Sequence, residues 1–424
     1  MIIKGSLITT LFIINLFIQL LTQIVITRIY GATLQLDAFL AAVVIPSIFV
    51  TVIYSTLNDA FLPLYSKKRG NNAEEAERYF FTHLVAVTTI AFILSLILNF
   101  VAEPISNSFY SEKGGEFVSQ VANQMRYMIY SLPLAIVATF FGAYYYVRKQ
   151  FLRFPLAQAV GSLSNLLLVL LLSQQWGIWA LVFAFVINIL FQIMVVIPGN
   201  ILNMQLSPLN MIPLLVSWLP LVIGTLALRS DSLLIRSFAT SLPEGYVVYL
   251  NLIVKMLSLA TGVLTIGIQI LLLPHLVEYI HSGKYLETIR MVNRSKMVGV
   301  GIAIVVTIIA ILVAPIVIQI FFIGGKFTIT DAGRVISLIP LFVLPAIGWG
   351  VNSIFFQPLI ALRKNIPLSA VQIASVIFGW SIGFITKAQF GALAGITTGL
   401  TTMLFAGIIG SEILWQLYKK EIRK

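Results

Sequence analysis

Apolar stretches of about 20 residues follow one another along the whole chain, separated by short polar turns. A helix of that length crosses a hydrocarbon layer about 30 Å thick, and in lipid only helices and closed barrels satisfy every backbone group internally. We read twelve such stretches, over 7–29, 38–62, 80–101, 121–147, 155–173, 177–196, 213–237, 246–272, 297–322, 334–361, 367–386 and 391–417. Hydrophobic residues make 59% of the 424 and charged ones 10%, a balance that excludes an ordinary soluble domain. The expected class is an all-α integral membrane protein with twelve transmembrane helices and little room for a separate soluble domain. Only Lys4 charges the first ten residues, and the apolar run behind it is too long for a signal peptide, so it is expected to remain as helix 1. With no cysteine there are no disulfides.

The net charge of +12 is unevenly placed. Lys4, the Lys67–Arg69 cluster with Arg78, Arg148 to Arg153, Lys284 to Lys296, Arg363 with Lys364, and the C-terminal lysines lie in alternate loops. The loops between them hold little beyond Lys113, Lys326, Arg334 and Lys387, and one carries Glu103, Glu112 and Glu116. By the positive-inside rule both termini face the cytoplasm. Topology and attraction to anionic membrane lipids account for the basic charge, which argues against nucleic acid as a partner. Asn71 to Arg78 (NNAEEAER) reads as a short amphipathic helix on the same side.

Internal similarity divides the chain into residues 1–200 and 201–424. Arg28 aligns with Arg236 at an offset of 208, and Pro63 with Pro274 at 211. Basic turns ending in a helix-starting proline, RKQFLRFP and LRKNIP, recur in the same order. Six helices per half is an even number, so both halves insert alike, as two parallel-related six-helix bundles with substrate expected at a central cavity between them.

Polar residues form stripes at helical spacing. Helix 1 carries Asn15, Gln19, Thr22 and Gln23 on one face, either lining a cavity or bonding neighbouring helices. Arg28 and Asp37 flank the following turn, as an interfacial pair or as part of the substrate face. Helix 2 aligns Ser47, Thr51, Tyr54 and Asn58, and helix 8 aligns Asn251, Lys255, Ser258, Gly262, Thr265 and Gln269. Under the offset the two stripes superimpose, but Lys255 falls on Val44, so the charge is one-sided. Helix 7 adds Arg229, Asp231 and Arg236, charges that in a membrane helix usually face a bundle interior or a water path. Arg229 and Lys255 suit a phosphate or pyrophosphate, and this anion site is favoured over buried structural pairing. Arg236 is expected to snorkel to the outer interface. Arg126 in helix 4 is a second-rank cavity candidate or another snorkelling cation. No metal-ligand spacing, nucleophile pair or Walker loop appears, so an enzyme is not expected and no cofactor is predicted.

Three stretches resemble a known family. LPEGYVVYLNLIVKMLSLATGVLTIGIQILLLPHL is similar to the helix 7 to 8 signature of the MurJ (MviN) lipid II flippases. RIYGATLQLDAFLAAVVIPSIF resembles their helix 1 to 2 signature, and YYVRKQFLRFPLAQAVGSLSNLLL their helix 4 to 5 connection. That family is a branch of the multidrug, oligosaccharidyl-lipid and polysaccharide (MOP) exporter superfamily, with Wzx-type carriers as neighbours. The resemblance implies an alternating-access carrier of polyprenyl-pyrophosphate-linked saccharide in a bacterial cytoplasmic membrane, with cell-wall synthesis proteins as possible partners. The family's cavity arginine on helix 8 falls at Lys255, its helix 1 to 2 aspartate at Asp37, and the helix 7 acid that helps bind sodium in some members at Asp231.

This sequence also departs from the pattern. The family's helix 1 arginines fall at Leu16 and Thr22 and its helix 2 arginine at about Val50. Helix 11, Leu368 to Ile385, has no acid to complete a sodium site. The two further helices that follow helix 12 in that family are not expected, since the chain stops at Lys424. The alternatives are a Wzx-type carrier of a capsule or O-antigen unit, and a MATE-like multidrug exporter coupled to Na⁺ or H⁺ through Asp231.

Overall fold

The computed structural model describes the backbone of residues 2–362 and 364–421. Its account of side chains omits residues 1–6, 8, 9, 262–271, 273–275, 277, 278, 281, 353, 363 and 421–424. Among the described residues the chain is helical, with one isolated bridge between Gly324 and Phe327. Eleven helical stretches are long and apolar enough to cross a membrane, each over one of the predicted segments. The remaining segment lies in a helix of 36 residues, Tyr246–His281, whose apolar part is described over Tyr246–Thr261. The chain groups into two compact units, Met1–Val222 and Ile223–Lys424.

The first unit contains α1 (Ile2–Tyr30), α2 (Leu34–Ala42), α3 (Val44–Asn71), α4 (Ala73–Phe100), α5 (Ala102–Tyr110), α6 (Gly115–Met128), α7 (Ser131–Val147), α8 (Arg153–Trp176) and α9 (Trp179–Val196). α1 packs on α8 and α8 on α9, while α7 packs on α3, α4 and α9. The core of the unit is aromatic. Phe61 stacks with Tyr65 and Tyr79 and meets Phe140 edge-on at 4.7 Å. The expected separate helix over Asn71–Arg78 does not form. Asn72 is extended and its side chain accepts from the backbone N–H of Glu74 and Glu75, so it caps α4, which runs on without a break into the apolar segment. Glu74 and Glu75 then sit in the first helical turn, where acids favour the helix dipole.

The basic turn after α7 is tied down by Arg148, whose guanidinium donates to Glu77 at 2.6 Å and to the Tyr65 hydroxyl at 2.9 Å. Asn200 donates to the other Glu77 oxygen at 3.0 Å. Further along, Thr82 bonds Ser207, and His83 reaches the Asn210 carbonyl at 3.1 Å. The connection after α9 is therefore fastened along one side of α4.

The second unit contains α11 (Asp231–Ala239), α12 (Tyr246–His281), α13 (Tyr285–Val317), α14 (Ile329–Leu338), α15 (Val343–Ala361), α16 (Asn365–Phe390) and α17 (Ala392–Glu421), with α10 (Ile212–Arg229) leading into it. α15 packs on α12, α13 and α17, and α16 on α17. The packing of α15 and α16 repeats that of α7 and α8 in the first unit, but α1 packs on α8 whereas α11 packs on α17. Lys296 pairs with Glu412 and lies over the Trp415 ring at 5.3 Å, which links α13 to α17.

Small residues hold the α16–α17 seam. Glycine at 391, with φ of 88°, turns the chain between the two helices. A Cβ at Gly383 would lie 3.1 Å from the Gly395 carbonyl, and one at Gly399 would lie 3.0 Å from the Gly379 carbonyl. Two facing glycine pairs, each four residues apart, thus bring the backbones together without side chains between them. Thr397, Thr398 and Thr401 on α17 return their hydroxyls to carbonyls of their own helix and serve packing.

Gly399→Ile is expected to lower the midpoint of thermal unfolding in detergent by several degrees, because overpacking costs about 1–3 kcal/mol. Gly301→Ala, where nothing lies within 4 Å, is expected to leave that midpoint unchanged.

Candidate functional site

Helix 7 is interrupted at Ser230, between α10 and α11, next to the chain's most charged membrane segment. Asp231 begins α11, and its Oδ1 accepts from the Ser232 N–H at 2.6 Å. Its Oδ2 accepts from the Trp349 indole of α15 at 3.1 Å, and the Trp380 indole of α16 donates to the Ser230 hydroxyl at 3.4 Å. Each carboxylate oxygen of Asp231 thus has an N–H donor. No group of three or more His, Cys, Asp or Glu suited to a metal occurs among the described residues.

One turn further on, Arg236 does not simply reach for the interface. Its guanidinium donates to Asn251 Oδ1 at 2.7 Å and to the Ser232 carbonyl at 3.3 Å, joining α11 to α12. Asn251, predicted to touch substrate, is 8% exposed and already holds this cation. Lys255 stands one turn further along α12, half-buried, and feels the Arg236 charge. Among the described residues its ammonium has no hydrogen bond and no carboxylate partner. Ser258 is exposed and donates to the Lys255 carbonyl at 3.1 Å. Arg229 differs from the sequence reading. It is exposed, on the last turn of α10, where the break at Ser230 ends the helix. The second unit therefore groups Arg236, Asn251 and Lys255. Gly262, Thr265 and Gln269, the rest of the helix 8 stripe, lie outside the described side chains.

In the first unit the predicted stripe separates into two kinds of residue. Gln23 is 5% exposed and donates to Thr27 at 3.3 Å, and Thr22 returns to the Ile18 carbonyl, so both serve packing. Asn15 and Asn58 are half-buried and the Oδ1 of each lacks a partner. Gln19 and Thr51 are half-buried too. Tyr54 turns away to Gln192 of α9, at 2.9 Å. Arg28 is half-buried with an unpartnered Nε, and Asp37, fully buried, sits in the first turn of α2. Arg126 pairs with Glu103 at 3.3 Å and is not a free cavity cation.

The family sequence model described as "Lipid II flippase MurJ" matches residues 26–423. The chain belongs to that family. A probable lipid II flippase MurJ of Borreliella burgdorferi is 20% identical over 365 residues, covering 82% of this chain and 72% of that protein. Another, of Bdellovibrio bacteriovorus, is 25% identical over 206 residues, covering 48% of this chain and 38% of that one. Among solved structures, lipid II flippase MurJ in its inward closed conformation superimposes with a TM-score of 0.82 at 17% identity, over 98% of this chain and 87% of the other. An inward-facing MATE transporter of the MOP superfamily reaches 0.73 at 14% identity, over 96% of each chain. The fold is therefore that of the MOP exporters, and the family is one of membrane flippases.

Arg236 stood out in the sequence as a charge in a membrane helix, but nothing there pairs it with Asn251. Asn251→Ala removes the side-chain acceptor of that guanidinium and is expected to destabilise the protein by about 1–3 kcal/mol in thermal unfolding. Gln19→Ala, with no partner to lose, is expected to cost under about 0.5 kcal/mol.

Proposed function

We propose that this MurJ-family protein carries a polyprenyl-pyrophosphate-linked saccharide, a lipid II-like precursor, from the inner to the outer leaflet, with its two units alternating access. Both termini face the cytoplasm in this reading. The observation that carries it is Lys255, a half-buried cation with no acid beside it among the described residues. A lone ammonium in a membrane helix is costly unless something anionic visits it, and a compact point charge suits a phosphate. Arg236 holds Asn251 in place and raises the positive potential around Lys255. Asn15, Gln19, Thr51 and Asn58 offer neutral donors and acceptors for sugar hydroxyls. Arg229, Asp37 and Arg28 are further candidates for substrate contact in this reading, Arg229 being exposed at the end of α10. Asp231 fastens the break in helix 7 through Trp349.

In cells depleted of their own lipid II flippase, Lys255→Ala is expected to abolish growth while the protein still accumulates, and Lys255→Arg to support it. Full growth with the alanine variant contradicts the anion site. Asp231→Asn still accepts from Trp349 and is expected to keep transport with an unchanged response to Na⁺ and pH. A loss of that response assigns ion coupling to Asp231. Since the chain has no cysteine, Asn71→Cys can be labelled alone. A membrane-impermeant maleimide is expected to reach it in inverted vesicles and not in intact cells.

A further inference from the structure

Two adjoining cavities open at the end of the first unit where α2, α4, α6 and α9 come together. The larger, about 520 Å³, is lined by Asn99, Asn123, Arg126, Tyr127, Tyr130 and Trp179. The smaller, about 170 Å³, shares Asn123 and Trp179 and adds Gln35, Gln120 and Gln124. The site is unusual for a membrane helix bundle in its density of carboxamides. The only charge in its walls, Arg126, is balanced by Glu103 at 3.3 Å and also donates to Asn123 at 3.0 Å.

Gln124 decides the reading. It is 3% exposed, its side chain lines the smaller cavity, and its Oε1 has no hydrogen-bond partner. Native proteins rarely leave a buried amide oxygen unmet, and a cavity beside it is where a ligand hydroxyl would arrive. Carboxamides present a donor pair and an acceptor on one short side chain, which matches neighbouring sugar hydroxyls. The apolar wall has a fixed orientation: Trp179 meets the Tyr127 ring edge-on at 5.3 Å and packs on Phe183 at 6.2 Å. A held indole beside a row of amides suits the C–H face and the hydroxyl rim of a pyranose together. Interfacial aromatic belts explain an exposed Tyr127, but not a buried unmet amide.

We infer that these cavities form a neutral saccharide-binding site, separate from the Lys255 region, at the end of the first unit that faces outward. That outward placement rests on the orientation proposed above. There the site would receive a sugar of the delivered precursor or of the surrounding wall polymer.

The test uses purified full-length protein in detergent, which has no sidedness, titrated calorimetrically with N,N′-diacetylchitobiose and with cellobiose. At least one disaccharide is expected to bind with a Kd of about 1–10 mM. Gln124→Leu is expected to weaken it at least about tenfold while the unfolding midpoint stays level or rises, because an unmet polar group is replaced by an apolar one of similar size. Lys255→Ala is expected to bind the disaccharides as the wild type does, so this site and the transport reading fail independently. No binding of either sugar at about 50 mM overturns the inference, as does unchanged binding by Gln124→Leu. A fall in the midpoint of Gln124→Leu also overturns it, since the oxygen then has a protein partner. Displacement of the sugar by phosphatidylglycerol at equal concentration would show instead a seat for a lipid headgroup.

Discussion

An ammonium half-buried in a membrane helix without a carboxylate beside it is the feature on which the functional reading depends. On insertion scales a lysine at the centre of a membrane helix costs about 2.5–3.5 kcal/mol, and a protein usually offsets this with an acid. Here the acid of the helix 7 segment, Asp231, is occupied by the Ser232 N–H and the Trp349 indole. The neighbouring cation, Arg236, is taken by Asn251. What remains is Lys255, half-buried and without a carboxylate partner among the described residues. Such a position suits an anion that comes and goes better than one fixed in the fold.

A site of this kind needs units that keep their shape. In lipid there is little hydrophobic drive between helices, so close approach and hydrogen bonds carry the packing. The facing glycines of α16 and α17 supply the first in the second unit, and the Arg148–Glu77–Asn200 network supplies the second at the end of the first. The pairings of α7 with α3, α4 and α9, and of α8 with α9, recur in the second unit as those of α15 with α12, α13 and α17, and of α16 with α17.

The frame was legible in the sequence because lipid imposes it: each apolar stretch is helical, although those over 38–62, 121–147, 213–237 and 334–361 are divided between successive helices. The site was legible only in part. Lys255 stood out by its type and place. The break at Ser230 was not visible, because the indoles of Trp349 and Trp380 that bond Asp231 and Ser230 come from more than a hundred residues away. Arg236 was assigned to the interface because its bond to Asn251 depends on how the Ser241–Gly245 turn folds α12 back along α11. The helix expected over Asn71–Arg78 failed for a local reason, the cap at Asn72, which an Asn before two glutamates does signal. The facing glycine pairs of α16 and α17 were not foreseen, since only the folded packing brings the two helices together there.

The most direct test of the central claim is flipping by the purified protein in liposomes, measured with a fluorescent polyprenyl-pyrophosphate disaccharide and an impermeant quencher. Wild-type protein and Lys255→Arg should move the lipid at comparable rates. Lys255→Gln, which keeps the size and polarity of the side chain and removes its charge, should lower the rate at least about tenfold. Equal rates for Lys255→Gln and wild type would contradict the account, since the unpaired cation would then have no part in carrying the pyrophosphate.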